Sequence, residues 1–241
     1  MSAVDALGRR YLPRGWSDLG RQVAIWFGFA LLYQAARGVA DRDPTRAFSN
    51  GWEVVHLETR VTHRLYELTF QQFVDQKHWL ETVVSWTYWN SEFTVVGLAV
   101  LWVYLRRHDA FKQFRNSVLL ANLIGLVGYV FMPTAPPRLL GVGFVDQHRD
   151  GLVSLAANPY AAMPSLHAAD ALIVGVVLAC VCRFWLWRLV WAAWPAWVCF
   201  CVMATGNHFW LDCAAGVVVA ILAMGVVYHE RIRAALAARP A

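Results

Sequence analysis

Charge is what this sequence has least of. Only 15% of its 241 residues are Asp, Glu, Lys or Arg, while 59% are apolar; a soluble domain averages about 25% charged and roughly 45–50% apolar. That scarcity excludes a disordered chain and an ordinary cytosolic globule. Cysteine is sparse too. Cys180, Cys182, Cys199, Cys201 and Cys213 lie in or beside apolar runs, as small buried hydrophobes do, and they make neither a disulfide scaffold nor the ligand spacing of a zinc site. The net charge of +5 comes with no basic stripe and no nucleic-acid motif, so nucleic acid is not an expected partner. Residues 1–19 lack a short apolar stretch before a small-residue cleavage site, which predicts no cleavable signal peptide. No repeat or low-complexity tract is visible.

What remains is long apolar runs, 13 Trp and a mean hydropathy of +0.42, the profile of a polytopic membrane protein with Trp at the lipid–water boundary. A helix needs roughly 20 largely apolar residues to cross a bilayer. Candidate spans fall at about 23–40, 82–105, 117–132, 164–183, 185–204 and 209–228. The predicted fold is therefore all-α, a six-span transmembrane bundle. Between the first two spans, residues 41–81 mix Val54, Val55, Leu57, Val61, Leu65, Leu68 and Phe73 with many charges. That mixture predicts one or two amphipathic helices lying in the membrane interface. Residues 133–163 form a Pro- and Gly-containing loop.

Lys and Arg in the short flanks predict orientation. Arg9, Arg10, Arg14 and Arg21 group with Arg106, Arg107, Lys112, Arg115, Arg183, Arg188, Arg231, Arg233 and Arg239, leaving Arg138 and Arg149 opposite. Residues 1–22 and the tail 229–241 are thus expected in the cytoplasm, in a multi-pass protein of the cell membrane.

With that topology three polar clusters reach the outer face: Pro136-Pro137-Arg138, Met163-Pro164-Ser165-Leu166-His167, and Thr205-Gly206-Asn207-His208 with Asp212. Polar groups at membrane depth are costly and mark sites. A proline at the first helical position leaves a helix N-terminus able to seat an anion, with Ser165 beside it. Arg138 offers a planar fork for phosphate oxygens. A four-residue spacing puts His208 and Asp212 on one helix face about 6 Å apart along the axis, so that the carboxylate fixes the imidazole tautomer and leaves the other nitrogen to attack. His167 has the chemistry of a proton donor and acceptor. Each part alone has a plainer reading: an interfacial histidine, a helix-surface pair, a snorkelling base. Together, on one predicted face, they point to a phosphoester site.

The three clusters resemble those of the type-2 phosphatidic acid phosphatase superfamily, on Pro136-Pro-Arg138, Ala162-Met-Pro-Ser-Leu-His-Ala-Ala and Asn207-His-Phe-Trp-Leu-Asp-Cys-Ala-Ala-Gly216. The likeness spans roughly residues 50–228 and is nearest the branch of inositolphosphorylceramide synthases and related bacterial proteins. It implies a phosphohistidine mechanism without metal or other cofactor. In it His208 is the nucleophile, Asp212 its partner and His167 the general acid, while Ser165 and Arg138 hold the phosphoryl oxygens. The chain departs from the phosphatase pattern at Phe131, where a Lys is usual, at Val202, where an Arg is usual, and at Leu166, where Gly is usual. Arg149, Arg60 and Arg64 are candidate substitutes. Asp170, Asn207 and Tyr160 are candidate head-group contacts, and Asn90, Glu92 and Asn122 also lie near membrane depth.

The expectation is a membrane enzyme with catalytic domain 23–228 and active-site loop 133–163. It cleaves a lipid phosphate or phospholipid on the extracytoplasmic face, either as a phosphatase or as a head-group phosphotransferase. A phosphoinositol-type transferase is one alternative. A non-enzymatic lipid-binding or transport protein on the same fold is another.

Overall fold

The computed structural model describes residues 12–40, 43–145 and 160–237, all of it helix, turn and loop apart from one isolated bridge between Thr134 and Ala161. Arg9, Arg10, Arg149 and the last four residues of the expected tail lie outside the described residues. The helices are α1 (Gly15–Ala40), α2 (Pro44–Thr62), α3 (Tyr66–Asp75), α4 (His78–Asn90), α5 (Val96–Arg106), α6 (His108–Phe131), α7 (Leu166–Val181), α8 (Trp185–Ala204) and α9 (Trp210–Ala237). A π-helical turn, Ser91–Val95, joins α4 to α5, and a 3-10 turn, Pro137–Leu139, follows α6.

Each expected span overlaps helix, with 82–105 divided among α4, the π turn and α5, and with 164–183 running past both ends of α7. Among the described residues three helices are long and apolar enough to cross a membrane, namely α6, α8 and residues Trp210–Glu230 of α9, while α7 is a shorter apolar helix, so these criteria support three of the six expected spans. Residues 41–81 supply two helices, α2 and α3, before α4 begins. Pro44 opens α2 in the first turn, where its missing N–H costs nothing, and the Asp43 side chain caps it by accepting from Arg46 N–H at 3.0 Å. His63 ends it at φ 60°, with its N–H on the Thr59 carbonyl.

α7 is the hub. It is apolar around most of its circumference and buried to match, packed against α6, α8 and α9. Two glycines set how closely its neighbours approach. A Cβ on Gly175 would stand 2.6 Å from the Trp191 carbonyl and 2.9 Å from the Pro195 ring. Pro195 has no N–H to give Trp191, four residues back in α8, so the bare carbonyl and the ring lie directly on the glycine. A Cβ on Gly216 would collide with the Ser165 carbonyl, so the first turns of α9 press on the start of α7. Outward, Trp185, Leu186, Trp187, Leu189 and Val190 of α8 are exposed, an apolar face suited to lipid.

Gly216→Ala should overpack the α7–α9 contact, costing about 1–3 kcal/mol and lowering the thermal midpoint in detergent. A melting curve equal to wild type would show that the helices do not meet there.

Candidate active site

Backbone hydrogen bonds stitch the three sequence clusters together. The Arg138 N–H donates to the Gly206 carbonyl (2.9 Å), and the Ser165 N–H to the Asp212 carbonyl (3.0 Å). Thr134 and residues 160–162 exchange two more, Thr134 N–H to Tyr160 O and Ala162 N–H to Thr134 O. Gly206 takes φ +67°, and a Cβ there would meet the Phe144 ring at 2.8 Å and Arg138 Cβ at 3.2 Å. Glycine both turns the chain and admits the arginine.

At this junction the His167 and His208 rings face each other edge to face, centroids 5.5 Å apart. His208 Nδ1 lies 2.8 Å from the Ala162 carbonyl, which can only accept. The proton is thereby assigned to Nδ1, and Nε2 keeps its lone pair. Burial, with Arg138 adding to it against the Ala162 hydrogen bond, pulls the imidazole down to about 4, so the ring is neutral at pH 7. Asp212 Oδ2 stands 3.6 Å from Nδ1, beyond hydrogen-bond length, and accepts instead from the Phe209 N–H at 2.8 Å. The shared helix face expected of His208 and Asp212 does not form, because His208 precedes α9 by two residues and Asp212 caps that helix from within its first turn.

His167, in the first turn of α7, has a different environment. Its Nε2 is 3.2 Å from Glu92 Oε2, and its ring is stacked on Tyr88 at 4.9 Å and 20°. Glu92 comes from the π-helical turn, an irregularity common at functional sites. The sequence marked Glu92 as polar at membrane depth but gave no sign of that pairing.

The remaining expected residues divide. Arg138 Nε donates to Asn207 Oδ1 (3.0 Å), and the Asn207 amide is held by Thr205 Oγ1 (2.9 Å), so Asn207 orients the guanidinium. Ser165 is fully buried as the N-cap of α7, its Oγ accepting from Ala168 N–H at 3.3 Å; Pro164 stands one residue ahead of the cap rather than in the first turn. Tyr160 packs against Phe48 (6.2 Å) beside Phe209. Asp170 lies one turn along α7, with both oxygens accepting from Asn122 Nδ2 (2.9 and 3.0 Å). It borders a cavity of about 490 Å³, walled by α1, α5 and α6 residues such as Trp26, Phe29, Val96 and Val100, with Glu92, Asn122 and Asp170 among its polar lining, beside Gln22 and Gln34.

Of the candidate substitute cations, Arg60 is exposed and Arg64 lies over the Tyr66 ring at 4.5 Å. Phe131, at the missing lysine, is 70% exposed, whereas Val202, at the missing arginine, is wholly buried among Ala168, Ala171, Val198 and Cys213. An arginine in that packed site would have no room or solvent.

Two glutamates beyond the sequence expectation stand behind the site. Glu58 of α2 and Glu67 of α3 are fully buried. Glu67 Oε1 accepts from Trp210 N–H (2.7 Å), and Glu58 Oε1 from Leu211 N–H (2.9 Å). With Asp212 on Phe209, three successive amides after His208 each end on a carboxyl. A signal for Glu58 did exist: it continues the Ala47, Gly51, Val54, Val55 stripe at helical spacing, on the apolar face of α2.

Burial, then the Glu67 charge with Asp212 behind it, pushes Glu58 up to about 9 against the Leu211 hydrogen bond. Below about 4.5 the folded and unfolded chains both hold this proton; between there and about 9 only the folded chain does. Its contribution to stability is therefore lost as pH rises through that window. Glu58→Gln should flatten the fall in melting temperature between pH 5 and 9 relative to wild type. Identical slopes would mean that Glu58 is ionised in the fold.

Compared with known families, residues 52–226 match the PAP2 superfamily. Among solved structures the fold is similar to LpxE of Aquifex aeolicus, with a TM-score of 0.56, 16% identity, and coverage of 68% of this chain and 94% of that one. Comparison with curated protein sequences returns no match.

Proposed function

Starting from the fact that this chain belongs to the PAP2 superfamily, we propose that it is an integral-membrane phosphoesterase that acts on a lipid-linked phosphate through a phosphohistidine. The observation that carries this reading is His208 Nε2, left with its lone pair by the Ala162 bond on a ring 5.5 Å from that of His167. In this reading the substrate phosphate binds beside the two rings, with its oxygens on Arg138 and the N-terminus of α7. His208 Nε2 attacks phosphorus in line; the P–N bond forms as the P–O bond to the leaving group breaks. His167, held by Glu92, protonates the departing oxygen. It then takes a proton from the acceptor, whose oxygen attacks phosphorus, and the P–N electron pair returns to Nε2. Positioning and charge stabilisation carry most of the rate, and neither a metal nor another cofactor is required. In this reading both termini are cytoplasmic, the site opens to the extracytoplasmic side of the cell membrane, and the lipid tail reaches it laterally.

Water as acceptor makes the enzyme a phosphatase. The phosphotransferase reading, including the phosphoinositol type, is favoured by one feature: the apolar cavity carries Glu92, Asn122 and Asp170 in its lining, and Glu92 is itself bound to His167. A lipid hydroxyl held at that corner would reach the general base without passing through bulk water. The non-enzymatic reading has no such feature in its favour, since a transport path needs polar groups along the depth of several helices.

His208→Ala should lower phosphoester turnover by about a thousandfold or more, since the nucleophile acts as a unit with its partners. His167→Ala should lose about 10²–10⁴-fold while retaining lipid phosphate binding. Assays of purified variants for phosphate release and product lipids decide this; near-normal turnover in His208→Ala refutes the mechanism, as would loss of wild-type activity to a chelator. A labelled phospholipid supplied with and without inositol or glycerol separates the acceptors, and free phosphate as the sole product rejects transfer.

A further inference from the structure

Glu58 and Glu67 are costly residues to bury. Both belong to the two helices between the first two expected spans, and neither reaches the reacting groups. Each spends one oxygen on an amide of the turn that carries His208, Leu211 for Glu58 and Trp210 for Glu67. The other oxygens, Glu58 Oε2 and Glu67 Oε2, are buried without a donor, and so is Asp212 Oδ1. Among the described residues no group of three His, Cys, Asp or Glu side chains is placed to hold a metal ion, so a cation does not explain them.

A carboxylate oxygen can only accept, and adjacent buried carboxylates repel one another. Glu58 and Glu67 end on the consecutive amides of Leu211 and Trp210, and the Glu67 charge works against ionisation of Glu58. One proton between them converts the clash into an O–H···O bond and supplies the missing donor. The fixed pair can then hold two consecutive amides of α9 in place. Those amides follow His208 within three residues, and on the other side of His208 the turn is pinned by its own N–H on the Val202 carbonyl (3.1 Å). We infer that Glu58 and Glu67 are positioning residues for His208, a carboxyl pair sharing one proton that clamps the first turn of α9 from outside the catalytic helices. This rests on His208 being the nucleophile, as proposed above; the clamp itself is a statement about the turn.

The test uses the full chain in detergent, with Ala, Gln and Asp variants at both positions. Glu58→Gln and Glu67→Gln keep an accepting oxygen and supply an N–H in place of the shared proton, so turnover should stay within about threefold of wild type. Glu58→Ala and Glu67→Ala should lower kcat by about tenfold or more, with KM within about twofold, and should speed hydrogen exchange at the amides of residues 208–212. Should an alanine variant fail to fold, the Asp variant, which draws the carboxyl back by one methylene, should reproduce the kcat loss and the faster exchange.

Folded Ala or Asp variants with wild-type exchange over 208–212 would overturn the clamp, as would Gln variants as impaired as Ala. Exchange that loosens while kcat is unchanged would overturn positioning of a nucleophile by this turn. A His208→Ala control is run alongside. If His208→Ala is active or the wild type turns over no phosphoester, the proposed function fails, and the exchange comparison still decides whether the clamp exists.

Discussion

The site depends on how closely α9 lies against the first turn of α7. Only a residue without a side chain fits at Gly216, because the Ser165 carbonyl occupies the space a Cβ would need. That approach lets the Ser165 N–H bond to the Asp212 carbonyl, which ties the start of the helix bearing His167 to the start of the helix that follows His208. The two imidazoles lie far apart in sequence, so their separation is set by this contact together with the His208 Nδ1 bond to the Ala162 carbonyl. Packed interiors resist small volume changes, and a rigid interface of this kind is what phosphoryl transfer requires, since small errors in placement are expensive.

Around that contact the polar groups are organised by hydrogen-bond satisfaction. A helix begins with four amide N–H groups that have no partner inside it, and water is the usual remedy. Here the start of α9 is partly buried, and the amides of Phe209, Trp210 and Leu211 take Asp212, Glu67 and Glu58 instead. Carboxylates at a helix N-terminus are favourable in themselves, but three in one buried space exceed what the helix can compensate. The proton on Glu58 is the consequence. With Asp212 engaged in capping, His208 is oriented by a neutral backbone carbonyl from the loop before α7.

Much of this was legible in the sequence, because motif chemistry and apolar periodicity are local. The three polar clusters, the helices under the expected spans and the amphipathic character of 41–81 can all be read from residue type and spacing. What the sequence hid is relational. His208 and Asp212 are four apart, yet the helix starts between them, and no sequence rule places a helix start to within two residues. Ser165 reads as a phosphate ligand or as a cap with equal ease; the cap is visible only once Ala168 N–H is seen to point at it. Glu92 needed the π turn to bring it to His167. Glu58 was the detectable omission, since a glutamate on an apolar stripe must find a partner or a proton.

The same electrostatics bears on the cations this chain lacks. Val202 fills with apolar packing the place where the phosphatase pattern puts an arginine, so positive potential is missing on the side of the turn that faces α7 and α8. Three ionised carboxylates behind that turn would then oppose an approaching phosphate with little to offset them, and in a medium of low dielectric the repulsion would be felt across the turn. A shared proton in the Glu58–Glu67 pair removes one of those charges without giving up either amide contact. Losing a buried arginine and gaining a buried proton are thus compatible changes: each lowers the charge to be desolvated beneath the membrane surface, and in the proposed mechanism Arg138 and the α7 amides are left to hold the phosphate.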